Sequence, residues 1–550
     1  MSSWLSRLSP SPSFPEYAGP YKVGSIDVEL PVAELDSPSP APDPSINTVA
    51  FRVFYPCGPG NGKERPVRWI PNPQRGYVSA YAQFLGANST LSNIFSALPQ
   101  PLYATSLPVR RNAPLLPPDG LSSSRWPVLF FSHGLGGSRN AYSHLVGTLA
   151  SYGLVVLAPD HRDGSSPIAY VRATSASDAR TVPYVRLSHQ PRPDVFSGRD
   201  AQLRVRLWEL GLLHDVILKL DTGAKLTNLD PNLSNGSASP ASPAEGADDD
   251  HLAMFRNRLD VHSPGKIAVA GHSFGAATAL QFAKSVFYHG LASQPRDAHD
   301  APGHAYAPLF IPAPSSPLVA QITPATPILL LDPWCLPLRS PATRRLWARP
   351  VPAYRANSSG STPALAVLSE SFYNWRAHLR TTLRALSERP AAPADDADDA
   401  DDADDDDDAG GPAPPERGAP PGARVFYHAG SAHLSTSDFG VLFPWVARRV
   451  FGATQGGERA VGLGVRAVLQ VLRGAGVEEG FVMVEGREER GEEREGDWKI
   501  LDGRARIRGW VPVGLEEWRG GVKDEGDEMK SPAEKVVETE VLGEGREQKL

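Results

Sequence analysis

Residues 266–280 constrain the fold of this chain more than any other stretch. They read K-I-A-V-A-G-H-S-F-G-A-A-T-A-L, which predicts a short buried strand, a tight turn and a helix. Gly271, Ser273 and Gly275 give the turn the pattern G-x-S-x-G. Small residues permit a sharp turn that holds the serine hydroxyl clear of the sheet, and the N–H groups that begin the helix favour negative charge. The stretch predicts Ser273 as a nucleophile; the alternative is an ordinary tight turn.

Apolar stretches on both sides of this turn predict one large sheet. Helices are predicted between several of the strands, and strand–helix–strand order favours parallel pairing. The predicted strands cover residues 23–30, 48–55, 126–132, 154–158, 267–270, 327–331, 364–368 and 423–427, and the predicted helices cover residues 91–98, 141–151, 203–220, 372–386, 442–451 and 459–472. The predicted fold class is therefore α/β: an α/β-hydrolase fold with a mostly parallel sheet, helices on both faces, and Ser273 in the nucleophile elbow.

Low-complexity stretches set the predicted domain boundaries. Asp395 to Asp408 contain eleven acidic residues, so the rest of the chain is close to neutral although the formal net charge is −7. Segments of this composition cannot bury enough apolar surface to fold. We predict a disordered N-terminus at 1–18, a catalytic domain at 19–475 with flexible inserts at 228–250 and 391–421, and a charged, mostly disordered tail at 476–550 with a short hairpin near 510–512.

The composition also argues against several functional classes. The basic residues are scattered, which argues against nucleic-acid binding. Cys57 and Cys335 form neither a disulfide framework nor a zinc motif, and the histidines and carboxylates lack ligand spacing, so we expect no metal and no cofactor. Without a signal peptide or a long apolar run, the chain is predicted to be cytoplasmic, with peripheral contact to membranes as an option.

A nucleophilic serine needs a base and an acid that follow it along the chain. His428 and His433 come after the last predicted strand of the core, and His433 is favoured because its loop can turn back over the sheet. Asp332 and Glu370 each end a strand after the elbow, and the residues alone leave the acid undecided between them. The oxyanion is expected to bind the backbone N–H groups of Phe274 and of Leu135, the latter in a glycine-rich loop that could also be a plain turn.

Residues 91–98 place apolar side chains, from Leu91 to Leu98, on one face of a helix. The first interpretation is a helix packed on the core. The second is a surface helix that touches lipid or covers the site.

Several motifs together resemble the platelet-activating factor acetylhydrolases of the plasma and type II group. They are G-P-Y-K-V-G at 19–24, W-I-P-N at 69–72, F-S-H-G-L-G at 131–136, D-H-R-D-G-S at 160–165, G-H-S-F-G-A-A-T at 271–278, L-D-P-W-C-L-P-L at 331–338 and G-S-A-H at 430–433. Ala276 stands where the family usually has a third glycine. The resemblance implies a calcium-independent serine esterase that removes acetyl or short oxidised acyl chains from the sn-2 position of phospholipids.

Carried over motif by motif, the resemblance implies Ser273 as nucleophile, Asp332 as acid and His433 as base, with Leu135 and Phe274 at the oxyanion. It also implies an interfacial role for residues 91–98. Two other hypotheses stay open: a general carboxylesterase or lipase for small esters, and a non-catalytic binding protein with a hydrolase fold.

Overall fold

The computed structural model describes most of the chain between residues 12 and 515. The described residues are 12–59, 66–98, 101–118, 124–232, 251–293, 307–355, 363–388, 390, 423–477, 500–502 and 507–515. The strands are β1 Lys22–Pro31, β2 Thr48–Cys57, β3 Arg110–Arg111, β4 Trp126–Ser132, β5 Val155–Pro159, β6 Ile168–Val171, β7 Arg180–Pro183, β8 Leu259–Asp260, β9 Ala268–His272, β10 Ile328–Leu331, β11 Ala364–Ser369, β12 Arg424–His428 and β13 Trp510–Val513.

Helices connect these strands and cover both faces of the sheet. They are α1 Gln74–Phe84, α2 Ser89–Ala97, α3 Ser143–Ser151, α4 Pro193–Thr222, α5 Phe274–Phe287, α6 His289–Ala292, α7 Leu318–Gln321, α8 Arg344–Trp347, α9 Glu370–Asn374, α10 Arg376–Ala385, α11 Asp438–Leu442, α12 Pro444–Phe451 and α13 Gly457–Gly474. Within the described ranges, no helix combines the length and apolar character that crossing a bilayer requires.

One mixed sheet organises the described part of the chain. Its strand order is β13-β12-β11-β10-β9-β4-β5-β2-β1-β3, with β8 beside β4. The strands from β5 to β12 along this order pair in parallel, whereas β2 and β13 pair antiparallel with their neighbours. In β4, Val128 and Phe130 join one apolar core while Leu129 and Phe131 join the other, as expected for a strand buried on both faces. The protein has the predicted α/β-hydrolase fold.

Two predicted helices are each divided in the structure. The helix predicted over 372–386 breaks at Trp375, whose backbone leaves the helical conformation while its ring stacks on His378 at 4.4 Å. The helix predicted over 442–451 begins earlier, as α11, and breaks at Phe443. Phe443 precedes Pro444, and the proline ring excludes the helical conformation for the residue before it.

Parts of the segments predicted as disordered or flexible are packed in the structure. In the predicted N-terminal segment, Phe14 and Tyr17 stack on His144 at 6.1 and 5.8 Å. At the start of the first predicted insert, the Asn232 side chain accepts a hydrogen bond from the backbone N–H of Asp27 on β1. The short β3 leaves this edge of β1 uncovered, which explains why the asparagine binds there. Residues 1–11, 233–250 and the second insert, 391–421, lie outside the described residues.

The predicted hairpin near residue 510 is instead a single strand of the main sheet. β13 pairs antiparallel with β12, from Val425 opposite Val513 to His428 opposite Trp510. The Trp510 ring stacks on Phe426 at 5.1 Å. The prediction excepted these residues from the disordered tail, but in place of a hairpin they cover the edge of β12.

Helix α2 lies on the surface, so the first interpretation of residues 91–98 is wrong. Leu91, Ile94, Phe95 and Leu98 are 59, 57, 50 and 54% exposed. The helix is attached through its polar side, where Ser79 on α1 contacts Ser92 at 3.2 Å. The apolar side chains of α2 therefore do not pack on the core.

Candidate active site

The turn between β9 and α5 has the sharp geometry that the sequence predicts. Ser273 has φ 56° and ψ −118°, an unfavourable conformation for a residue with a side chain. Such a conformation costs about 1–3 kcal/mol and is typical of functional sites. The flanking residues must be glycine: a Cβ on Gly271 would lie 2.2 Å from the Gly275 carbonyl oxygen, and one on Gly275 would lie 2.0 Å from that of Ser132.

His433 and Asp332 form a hydrogen-bonded pair at the same edge of the sheet. Asp332 follows β10, and its Oδ2 lies 2.9 Å from His433 Nδ1. Its Oδ1 accepts a hydrogen bond of 2.6 Å from the backbone N–H of Ser369. The carboxylate only accepts, so Nδ1 carries the proton and Nε2 of His433 is left to accept another. Among the described contacts, no hydrogen bond joins Nε2 to Ser273; such bonds often tighten only with substrate.

The two alternative residues make other contacts. Glu370 Oε2 accepts a hydrogen bond of 2.7 Å from the backbone N–H of Gly430, so it braces the loop that carries His433. His428 is only 2% exposed, and burial lowers its pKa to about 4. Neither Glu370 nor His428 is hydrogen-bonded to the Asp332–His433 pair. The structure therefore joins Asp332 to His433 by a hydrogen bond and does not join the other two candidates to this pair.

Three backbone N–H groups of the glycine-rich loop after β4 are paired. Gly134 N donates to the Tyr142 hydroxyl at 3.3 Å, Gly136 N to the Ser165 carbonyl at 2.9 Å, and Gly137 N to the Gly134 carbonyl at 3.1 Å. Among the described residues, no acceptor pairs with the N–H of Leu135 or with that of Phe274, the first residue of α5. Backbone N–H groups inside a protein normally have an acceptor. Because these two have none among the described residues, they can donate to a bound anion.

Three side chains at the site have atoms close enough to suggest a metal cluster. The nearest donor atoms of His272, Asp332 and His433 lie within 4.8 Å of one another. However, both nitrogens of His272 have hydrogen-bond partners: Nδ1 lies 2.8 Å from the Tyr142 hydroxyl, and Nε2 lies 3.0 Å from the His433 carbonyl oxygen. The Asp332 and His433 atoms also bind each other, so this donor set is already engaged.

A buried arginine below the site was missed in the sequence. Arg206 on α4 donates to the His133 carbonyl at 2.8 Å and to Asp163 Oδ2 at 2.5 Å, and its guanidinium lies 4.3 Å from the Phe274 ring centre. Burial raises the pKa of Asp163, but Arg206, His161 and the hydrogen bond from Ser165 together outweigh it and lower that pKa to about 2. The sequence does contain a signal for it. Arg206 lies between the regularly spaced leucines of α4, and a charge on an apolar face requires a partner.

Comparison with known proteins finds relatives of about half of the chain. The family model described as "Platelet-activating factor acetylhydrolase, isoform II" matches residues 7–294, which include the elbow and the loop at Leu135 but end before Asp332 and His433. The chain is 32% identical over 278 residues to a Schizosaccharomyces pombe protein described as "Putative phospholipase A2", covering 49% of this chain and 59% of that protein. It is 28% identical over 273 residues to the platelet-activating factor acetylhydrolase of Cavia porcellus, covering 49% and 52%.

These alignments span little more than half the length of the curated relatives. Among solved structures, a ferulic acid esterase from Streptomyces cinnamoneus is 15% identical and has a TM-score of 0.41, covering 84% of this chain and 92% of the esterase. A structural likeness this distant carries no information about the substrate. The family match extends over half of the chain. The chain belongs to the platelet-activating factor acetylhydrolase, isoform II, family.

Proposed function

We propose that this protein is a serine ester hydrolase that cleaves the sn-2 acetyl or short acyl ester of phospholipids. The observation that carries the proposal is the Asp332–His433 pair, which stands at the same sheet edge as the strained Ser273. The names of the curated relatives, which refer to platelet-activating factor and to phospholipase A2 activity, support a phospholipid as substrate.

In the proposed reaction, Ser273 Oγ attacks the ester carbonyl carbon while His433 Nε2 accepts the hydroxyl proton. The carbonyl oxygen becomes negative and accepts hydrogen bonds from the N–H groups of Leu135 and Phe274. His433 then gives the proton to the leaving lysophospholipid oxygen, and the acyl group remains on Ser273. A water molecule repeats these steps and releases the acid. We propose that calcium is not required, because the two N–H groups supply the stabilisation of the oxyanion.

A substrate panel in the presence of a chelator tests this function. We expect rapid hydrolysis of an sn-2 acetyl phospholipid, slower hydrolysis of a p-nitrophenyl acetate, and little of a long-chain phospholipid. If only the p-nitrophenyl ester were hydrolysed, the proposed substrate would be small carboxylic esters and not phospholipids. If the protein hydrolysed none of them and no organophosphonate labelled it, it would be a binding protein with a hydrolase fold.

We further propose transient contact with membrane surfaces through α2. Helix α12 also has exposed apolar side chains: Trp445 is 72% exposed and Val450 is 54% exposed. The segments that precede both helices in the chain belong to the site or contact it. Phe84, at the end of α1 and just before α2, lies against Gly136 in the glycine-rich loop, and α12 follows the segment that carries His433. Partial insertion of such a surface would bring the site to its substrate.

The double variant Leu91→Ser/Ile94→Ser is expected to bind phospholipid vesicles at least tenfold more weakly. Burial of a leucine or isoleucine side chain contributes about 1.5–3 kcal/mol, and the variant loses two. Sedimentation with phosphatidylcholine vesicles measures the effect. Ala97→Ser, an apolar-to-serine change at an exposed position of the same helix, is the matched control and should bind normally. Equal binding by the double variant and the control would contradict the proposed surface.

A further inference from the structure

A chain of hydrogen bonds links the two halves of the candidate active site. The Gly134 N–H in the glycine-rich loop donates to the Tyr142 hydroxyl at 3.3 Å, and this hydroxyl lies 2.8 Å from His272 Nδ1. His272 Nε2 lies 3.0 Å from the backbone carbonyl oxygen of His433. The chain therefore runs from the loop that carries Leu135 to the backbone of the proposed base.

The partners fix the direction of every proton in this chain. The His433 carbonyl oxygen only accepts, so His272 Nε2 carries a proton and donates it. Burial lowers the pKa of His272, which keeps its imidazole neutral with a single ring proton. Nδ1 is then an acceptor, and the Tyr142 hydroxyl donates to it. The tyrosine oxygen retains lone pairs for the Gly134 N–H, so each donor has one acceptor.

The two rings next to His433 also restrict its movement. The imidazole of His433 stacks on Phe372 at 4.3 Å with an interplanar angle of 10°, and the His272 ring lies 4.5 Å from it at an angle of 30°. His433 becomes positive when it accepts the serine proton. A neutral His272 and an aromatic face next to it tolerate that charge, whereas a second cation would repel it.

We propose that His272 and Tyr142 are positioning residues that hold the backbone of His433 and the glycine-rich loop at a fixed separation. This inference rests on the proposed function. Neither residue touches the reacting atoms: His272 acts on His433 through its carbonyl oxygen, and Tyr142 orients His272. The base and the Leu135 donor come from opposite sides of β9, so a link between them keeps both aligned with Ser273.

His272→Leu removes the donor to the His433 carbonyl oxygen and is expected to lower kcat by about 10²-fold, because small displacements of a catalytic group have effects of this size. KM should change little, since the substrate contacts remain. His272→Gln keeps an N–H near the position of Nε2 and should recover most of the loss. Tyr142→Phe removes a single oxygen atom while the ring stays packed on Phe131 at 5.1 Å, and about a tenfold loss is expected.

A double-variant experiment separates positioning from a general effect on folding. In a His433→Ala background, the further change His272→Leu should lower the residual turnover by no more than about tenfold, because the imidazole is gone and only the position of the glycine-rich loop can still be affected. A further loss as large as in the wild-type background would overturn the inference. So would equal kcat values for wild type and Tyr142→Phe, a test that survives even if His272→Leu fails to fold.

Failure of the inference is distinguishable from failure of the proposed function. Wild-type protein labelled by an organophosphonate and active on an sn-2 acetyl phospholipid, with His272→Leu as active as wild type, would overturn the positioning role alone. Wild-type protein that is neither labelled nor active would overturn the esterase and the positioning role together.

Discussion

Ser273→Ala is expected to lower the turnover of an sn-2 acetyl phospholipid by about 10⁶-fold, the loss typical of removing the nucleophile from a serine hydrolase. The physical reason is that the variant loses the proposed nucleophilic oxygen, which the unusual backbone of Ser273 holds at the start of α5. Release of acetate in the presence of a chelator measures the loss, and mass spectrometry should find no phosphonate adduct on the variant.

Ser293→Ala is the matched control. Ser293 is exposed near the end of a short helix, where its hydroxyl donates to the Gly290 carbonyl oxygen at 3.0 Å. The same chemical change there should leave turnover and phosphonate labelling at the wild-type level. If Ser273→Ala retained full activity while its circular dichroism matched wild type, the elbow serine would not be the nucleophile.

Asp332→Asn is expected to lower turnover by about 10⁴-fold with little change in fold. Asp332 Oδ1 accepts a hydrogen bond from the Ser369 N–H, so the amide oxygen of the asparagine will take that place. The amide NH₂ then faces His433 Nδ1 and forces it to accept. The ring proton moves to Nε2, which can no longer take the proton of Ser273. Turnover as a function of pH, with the folded state checked by thermal unfolding, measures the effect.

Glu370→Gln provides the control at the end of the neighbouring strand. Its side chain accepts from the Gly430 N–H, and the glutamine oxygen can keep that bond. We expect turnover within about tenfold of wild type, because only the brace of the loop is weakened. A roughly 10⁴-fold loss of turnover in Glu370→Gln, with Asp332→Asn still active, would show that Glu370 is the acid and that the assignment of Asp332 is wrong.

Local patterns in the sequence predicted the strands and the elbow because each depends on neighbouring residues. Residues 126–132 were predicted as a strand with the bounds that the structure has, and the turn at Ser273 follows from small residues on either side. Asp332 and Glu370 could not be separated in this way. Parallel strands end at the same edge of the sheet, and only the path of the loop after β12 determines which carboxylate meets His433.

Contacts between distant parts of the chain explain what the sequence did not reveal. The apolar residues of α2 have helical spacing in either environment, and only the packing of its polar face on α1 shows that they point outward. The role of Arg206 is not visible in the sequence because its partner Asp163 lies in a distant loop. Likewise, Tyr142 and His272 gain their significance only once α3 and β9 are placed side by side.

The position of β13 in the chain matters during synthesis, because β13 is made long after β12, the strand with which it pairs. During synthesis, β12 leaves the ribosome well before residues 510–513. Until β13 has also been made, the edge of β12 that pairs with it presents unpaired backbone N–H and C=O groups. Open strand edges recruit strands from other chains. A nascent or prematurely terminated chain that lacks Trp510–Val513 therefore leaves this edge of β12 open to strands from other chains, and β13 protects the folded protein against such association.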